Sequence, residues 1–195
     1  MRIVIPADRP KHEMPIKNGV VLTLSPIIKT DKELFEEGIE ELSLASRFSR
    51  FGQGVSNLSD QELDYLTDVD QRSHVAWGAA IDEEAAGVGR YIVQDDGTTA
   101  EVAVTVLDAM QRRGIGGALF AALVAVARAD GIHEFAFETR ADNEAVMSLI
   151  RDIEIAPLVS DGMVERRIRL SAIPTTPHDD ALVAVIDEVR RSRGF

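Results

Sequence analysis

The chain has 195 residues, enough for one domain with a sizeable core, and its 45% apolar and 28% charged residues fit a folded globular protein. Its 21 basic and 33 acidic residues give a net charge of −12, which argues against non-specific nucleic-acid binding, since phosphate neutralisation needs surplus Lys and Arg. Without cysteine there is no disulfide, thiol nucleophile or Cys-ligated metal. This composition fits a reducing compartment, and a cytoplasmic location is the expectation. Residues 1–20 lack the apolar core of a signal peptide. The longest uncharged apolar stretch, 114–127, is shorter than the ~18 residues of a spanning helix, so no membrane partner is expected.

Residues 2–5 read as a short strand, and Val20 to Ile28 as a longer one. Thr30 and Glu33 form a capping-box pattern, followed by Leu34, Phe35, Ile39 and Leu42 at near-helical spacing. Glu36, Glu37, Glu40 and Glu41 give that helix an acidic face. Arg47, Phe48, Arg50 and Phe51 form a basic–aromatic repeat before glycines, suited either to the entrance of a binding site or to an ordinary amphipathic helix. Ser59 and Glu62 form a second capping box.

Three strands follow, His74 to Ile81, Gly87 to Val93 and Thr99 to Val106, with acidic and glycine turns that predict an antiparallel meander. Residues Ala118 to Ala129 are apolar almost all round, as in a buried helix. Glu134 to Thr139 is a strand, Asp142 or Asn143 caps a further helix, and Met163 to Leu170 is the last strand. Residues 172–195 read as a linker and an amphipathic helix capped by Thr176, with Leu182, Val185, Ile186 and Val189 on one stripe. Arg190, Arg191 and Arg193 lie at its negative dipole end. That stripe must cover this domain or another subunit, which leaves a homodimer open. The order predicts a mixed α/β (α+β) sandwich with a mostly antiparallel sheet rather than a doubly wound fold.

The segment richest in chemistry is Gln111-Arg112-Arg113-Gly114-Ile115-Gly116-Gly117, between a strand and the buried helix. Glycines admit an anion close to backbone N–H groups, and the helix start adds free N–H groups and a positive dipole end. Arg112 and Arg113 add cations in an acidic chain. The pattern suits a pyrophosphate, or simply a tight strand-to-helix turn. It is not a nucleotide P-loop, since no Lys-Ser or Lys-Thr follows, nor a dinucleotide fingerprint, since Leu119 takes the place of the third glycine.

Gln111, Gly114 and Gly116, with the strand before and the long helix after, resemble the GNAT acetyltransferase superfamily, whose acyl-CoA loop reads (Q/R)-x-x-G-x-(G/A). The resemblance covers about residues 20–170, giving an N-terminal extension (1–19), a GNAT domain (20–171) and the C-terminal appendage (172–195). It implies acetyl-CoA as acyl donor, with the amides of Gln111, Arg112, Arg113, Gly114, Ile115, Gly116 and Gly117 on its pyrophosphate. Backbone groups of Val104, Thr105 and Val106 would hold the pantetheine arm and acyl carbonyl where two strands splay, and Asn143 would open the next helix beside it. The runs SLASRFSRF and AEVAVTVLDAMQRRGIG, with Asp70 and His74-Val75-Ala76, are similar to bacterial Pat-type protein lysine acetyltransferases. The common GNAT tyrosine acid is missing, because Ile150 stands at its place.

An ammonium acceptor must lose a proton before attack, since a lysine ε-amine has a pKa of about 10.4. The resemblance makes Glu101 the general base, with burial expected to raise its pKa; by its residues alone it is equally a strand-end carboxylate facing solvent. Glu138 and His74 are the other candidates, the first more suited to a structural role. No histidine pair has metal-ligand spacing, and no Ser-His-Asp pattern is seen. The implied activity is transfer of acetyl to a primary amine, with a protein lysine preferred over a small amine, and a silent acyl-CoA-binding module as the rival class.

Overall fold

The computed structural model describes residues 9–51, 57–140, 157–160 and 163–192. The candidate strand at 2–5, Asn143 with its helix, and Ile150 lie outside the described residues. The side chains of 48–51, 138–140, 157–160 and 163–165 lie outside them too, including those of Phe48, Arg50, Phe51 and Glu138.

Among the described residues, eight strands form one sheet: β1 (His12–Pro15), β2 (Val21–Pro26), β3 (His74–Ile81), β4 (Glu84–Val93), β5 (Thr99–Val106), β6 (Glu134–Arg140), β7 (Pro157–Ser160) and β8 (Met163–Arg169). Their order is β1-β2-β3-β4-β5-β6-β8-β7. Every neighbouring pair is antiparallel except β5–β6. The mixed sheet and its flanking helices agree with the expected class. The meander turns where Asp82 and Glu83, both at positive φ, close a two-residue hairpin loop.

The sheet lies between two helical layers. On one face α4 (Ile115–Ala129) packs against β3, β4 and β5. It buries Leu119 and Leu123 among Trp77, Tyr91 and Phe135. At Gly89 a Cβ would come within 3.1 Å of Leu123 and 3.3 Å of Leu119, so only glycine lets α4 approach this closely. On the other face lie α1 (Lys32–Glu40), α2 (Leu44–Phe51) and α3 (Asp60–Thr67). β3 is buried on both faces, which explains its unbroken apolar run.

The Ser59–Glu62 box forms as its pattern predicts, the Glu62 N–H reaching Ser59 Oγ at 3.3 Å and the Ser59 N–H reaching Glu62 Oε2 at 2.7 Å. The Thr30–Glu33 box does not form. Residues Lys29–Asp31 make a 3-10 turn, and α1 starts at Lys32 with no side-chain cap. Asp31 is buried there, taking two bonds from Arg9 at 2.9 and 2.6 Å and one from the Ile28 N–H at 2.9 Å. An ion pair from a distant segment displaces the local cap.

The C-terminal helix α5 (Asp179–Ser192) docks on α4, β1 and β2 of its own domain. Leu182, Ile186 and Val189 are buried in that contact, while Val185 is half-buried. Arg190 does more than face the helix dipole. It clasps Asp130 through two nitrogens at 2.9 and 2.6 Å and donates to the Gln71 carbonyl at 2.6 Å. Asp130 also accepts from the Tyr91 hydroxyl at 2.8 Å. Burial, followed by the Asp130 charge, pushes the Tyr91 phenol far up, so it remains a hydrogen-bond donor. Among the described residues no helix is long and apolar enough to cross a membrane.

Candidate active site

β5 carries the site. Its parallel pairing with β6 runs only from Thr99–Glu134 to Glu101–Ala136, whereas its pairing with β4 continues to Val106–Gly87. Beyond Glu101 the two parallel strands therefore part, leaving a fork along Val102 to Val106. Val104, Thr105 and Val106 lie on the open limb, all half-buried. This is the splay expected at those positions.

The glycine loop follows one turn later. Gly114 is the N-cap of α4 at φ 95°, a conformation available to glycine and costly for other residues. Arg112 is also left-handed, at φ 64°. Alternating handedness turns successive N–H groups to one side, a concavity suited to anions. The helix thus begins at Ile115, three residues before the apolar run suggested. In its first turn the N–H groups of Ile115, Gly116 and Gly117 have no intrahelical acceptor. Gln111, Arg112, Arg113 and Gly117 are exposed, and Gly114 and Gly116 half-buried. Ile115 is 1% exposed and belongs to the core, so it offers only its backbone. The exposed Gln111 side chain donates from its amide to the Val106 carbonyl at 3.3 Å.

Lys17, which the sequence reading passed over, also stands at this loop. Its Cγ lies 3.6 Å from where a Gly114 Cβ would be. It is exposed and adds a third cation beside Arg112 and Arg113. No local pattern marks it, because the turn after β1 reaches the loop only through the fold.

On the face away from α4, the register aligns three rungs. His74, Ile92 and Glu101 form the first; Ala76, Arg90 and Ala103 the second; Gly78, Val88 and Thr105 the third. Glu101 thus stands at the head of the fork, on the same face as Thr105. It is exposed, so the expected burial is not found. It borders an open groove of about 470 Å³ with Ile92, Val93, Gln94, Asp95 and Asp96. His74 is half-buried two strands from Glu101. Its Nε2 lies 3.3 Å from Arg90 Nη1, and its ring centroid 5.2 Å from that of Tyr65. Arg47 does not line an entrance: it donates to the carbonyls of Leu42 and Glu40 at 2.9 and 3.1 Å, closing the end of α1. Trp77 is fully buried, in the core as expected.

Asp108, in the turn between β5 and the loop, links the two sides. It accepts from Ser43 N–H at 2.9 Å, Ser43 Oγ at 3.1 Å and Ser46 Oγ at 2.9 Å, at the start of α2. Partial burial opposes its charge, but these bonds outweigh it and hold the carboxyl below its ordinary value.

The mixed sheet, with a strand fork beside a glycine-turned helix start, is an α/β fold of the expected class. The model of the acetyltransferase (GNAT) family matches residues 36–152, and the chain belongs to that family. It is 29% identical over 182 residues to acetyltransferase Pat of Mycolicibacterium smegmatis, covering 90% of this chain and 54% of that protein. The chain thus spans about half the length of that relative. The crystal structure of the GNAT domain of S. lividans PAT superposes with a TM-score of 0.75 at 28% identity, covering 85% of this chain and 99% of that one. The yncA structure from Salmonella typhimurium, which contains acetyl-CoA, shares the fold with a TM-score of 0.63 at 19% identity, covering 76% of this chain and 94% of that one.

Proposed function

We propose that the protein transfers the acetyl group of acetyl-CoA to a primary amine, preferably the ε-amine of a protein lysine. The observation that carries this reading is the fork between β5 and β6, opening beside the N–H groups of residues 114–117. The residues present fit the donor: glycine backbone and three cations (Lys17, Arg112 and Arg113) for a pyrophosphate, and an open strand edge at Val104–Val106 for an amide-bearing arm. In the family reading, Asn143 stands beside that arm. The catalytic domain spans residues 20–171.

The amine nitrogen attacks the thioester carbonyl carbon, forming the C–N bond. The C–S bond then breaks, its electron pair leaving on the CoA sulfur, which takes up a proton. Glu101 accepts the proton that the ammonium must lose. No covalent enzyme intermediate is needed, and holding amine and thioester together supplies much of the rate. Backbone N–H groups at the fork polarise the carbonyl oxygen as charge develops there.

The acidic groove at Glu101, Asp95 and Asp96 and the net charge of −12 favour a cationic acceptor. Its openness suits a lysine presented on a folded surface. The test is incubation with labelled acetyl-CoA and a cell extract, followed by separation of protein from small molecules. Label on protein lysines is expected. Label on small amines alone would overturn the lysine preference, and no transfer to either fraction would overturn the enzymatic reading.

A further inference from the structure

The face bearing Glu101 has a second recess at its other end. A cavity of about 90 Å³ lies between the sheet and the helices α1 and α3. Its walls include Leu34, Phe35, Ile39, Leu66, Val88 and Thr105. A mostly apolar recess of this kind can take up an apolar ligand. Scaled from the ~150 Å³ that holds the six carbons of benzene, it accepts about three or four carbons.

Gly38 gives this cavity a purpose beyond imperfect packing. It lies inside α1 and also lines the cavity. A glycine within a helix is destabilising relative to alanine. Neither usual reason for keeping one applies here. Gly38 is not among the positive-φ glycines, and a Cβ built on it would meet nothing within 4 Å. What the missing side chain provides is room.

We propose that this cavity is an acyl-chain pocket, and that the protein accepts propionyl- and butyryl-CoA as donors, binding them more tightly than acetyl-CoA. The proposal rests on the reading of β5 and the glycine loop as the CoA site. Thr105, which lines the cavity, belongs to the open limb Val104–Val106 to which the pantetheine arm and acyl carbonyl are assigned. A chain longer than acetyl has a short path from there into the space. The stem of the amine is the other apolar candidate, but Arg90 also lines the cavity, and a guanidinium repels an incoming ammonium. An uncharged acyl tail meets no such opposition. The acidic groove at the Glu101 end supplies the approach for the amine, so the two substrates enter from opposite ends of one sheet face. The transfer chemistry is unchanged: the amine attacks the acyl carbonyl, CoA thiol leaves, and an N-propionyl or N-butyryl amide results.

Calorimetry with CoA, acetyl-CoA and butyryl-CoA tests this without a known acceptor. Burial of two further methylenes should make butyryl-CoA bind about tenfold tighter than acetyl-CoA. Gly38→Leu, which fills the cavity, should abolish that preference and leave acetyl-CoA binding unchanged. Gly38→Ala supplies a variant certain to keep the helix: it should melt higher than the wild type and show a reduced preference. Equal affinities for the two acyl-CoAs in the wild type, or a preference that survives in the Gly38 variants, would overturn the pocket while leaving the CoA site intact. Failure of CoA itself to bind would overturn both.

Discussion

The sheet face under α4 and the face under α1–α3 are built from the same strands, yet they prepare for different tasks. Under α4 the packing is continuous, with Trp77, Leu119, Leu123 and Phe135 fully buried. This rigid layer fixes the start of α4, where the glycine loop offers backbone groups. Under α1–α3 the packing is interrupted by a cavity and bordered by an open acidic groove. The proposed donor side rests mainly on backbone geometry between Val104 and Gly117, with Lys17 brought to it by the fold. The proposed acyl pocket and the proposed acceptor groove draw their side chains from residues 27 to 107. A CoA site can rest on glycines and a helix end, because the pyrophosphate is the same for every acyl donor. Choice of acyl chain and acceptor needs a surface that sequence changes can reshape without disturbing that cradle.

The contrast can be broken most severely at Gly116. A Cβ there would meet only Val106 Cγ2, at an ordinary 3.7 Å, so Gly116→Glu should fold. Its carboxylate would oppose the pyrophosphate by about 4 kcal/mol at 4 Å and an effective dielectric of ~20, on the order of a thousandfold in affinity. Calorimetric titration with CoA reads this directly, and unchanged affinity in the folded variant would remove the loop from the site.

On the other face, Glu101→Gln keeps the shape and removes the basicity. Loss of a general base costs ~10²–10⁴ in rate, and the exposed position of Glu101 points to about 10². Turnover should fall while CoA affinity stays level. Wild-type turnover between pH 6 and 9 would move the role to His74, Glu138 or solvent.

The smallest effect belongs to the bridge between the two faces. Asp108→Ala removes the acceptor for Ser43 and Ser46 and should cost about 1 kcal/mol of stability at neutral pH. Because the folded-state pKa of Asp108 is depressed, its contribution is fully present above the ordinary value of 3.8. It is lost as pH falls through the lower folded value. The difference in melting temperature between variant and wild type should therefore shrink in acid, and a constant difference would exclude an ionised Asp108 as its source.

Much of the strand order was legible because its signals are local. His74–Ile81 and Thr99–Val106 carry β-rich runs between turn residues, and both strands have those bounds. The loop was legible because glycine at a strand-to-helix junction restricts what the backbone can do. Other features were hidden. Thr30 looked like a cap until Arg9 took up Asp31, twenty-two residues away in sequence. Lys17 reads as one exposed charge among many until the fold sets it against Gly114. Glu101 was expected to be buried, but its side chain is exposed on the sheet face away from α4. Arg190 looked like a helix-end charge, and its anchoring of Asp130 and the Gln71 carbonyl depends on where α5 docks.

By itself the sequence determined the element types, the position of the glycine loop and the family resemblance, because turn chemistry, periodicity and helix starts depend on neighbours within a few residues. The tertiary structure decided where β5 and β6 part, which rung Glu101 shares with His74, what α5 covers, and that Gly38 faces an apolar cavity. Each of these is a relation between segments tens of residues apart. Such relations arise only when side chains compete for the same buried space, and no local pattern records which of them prevails.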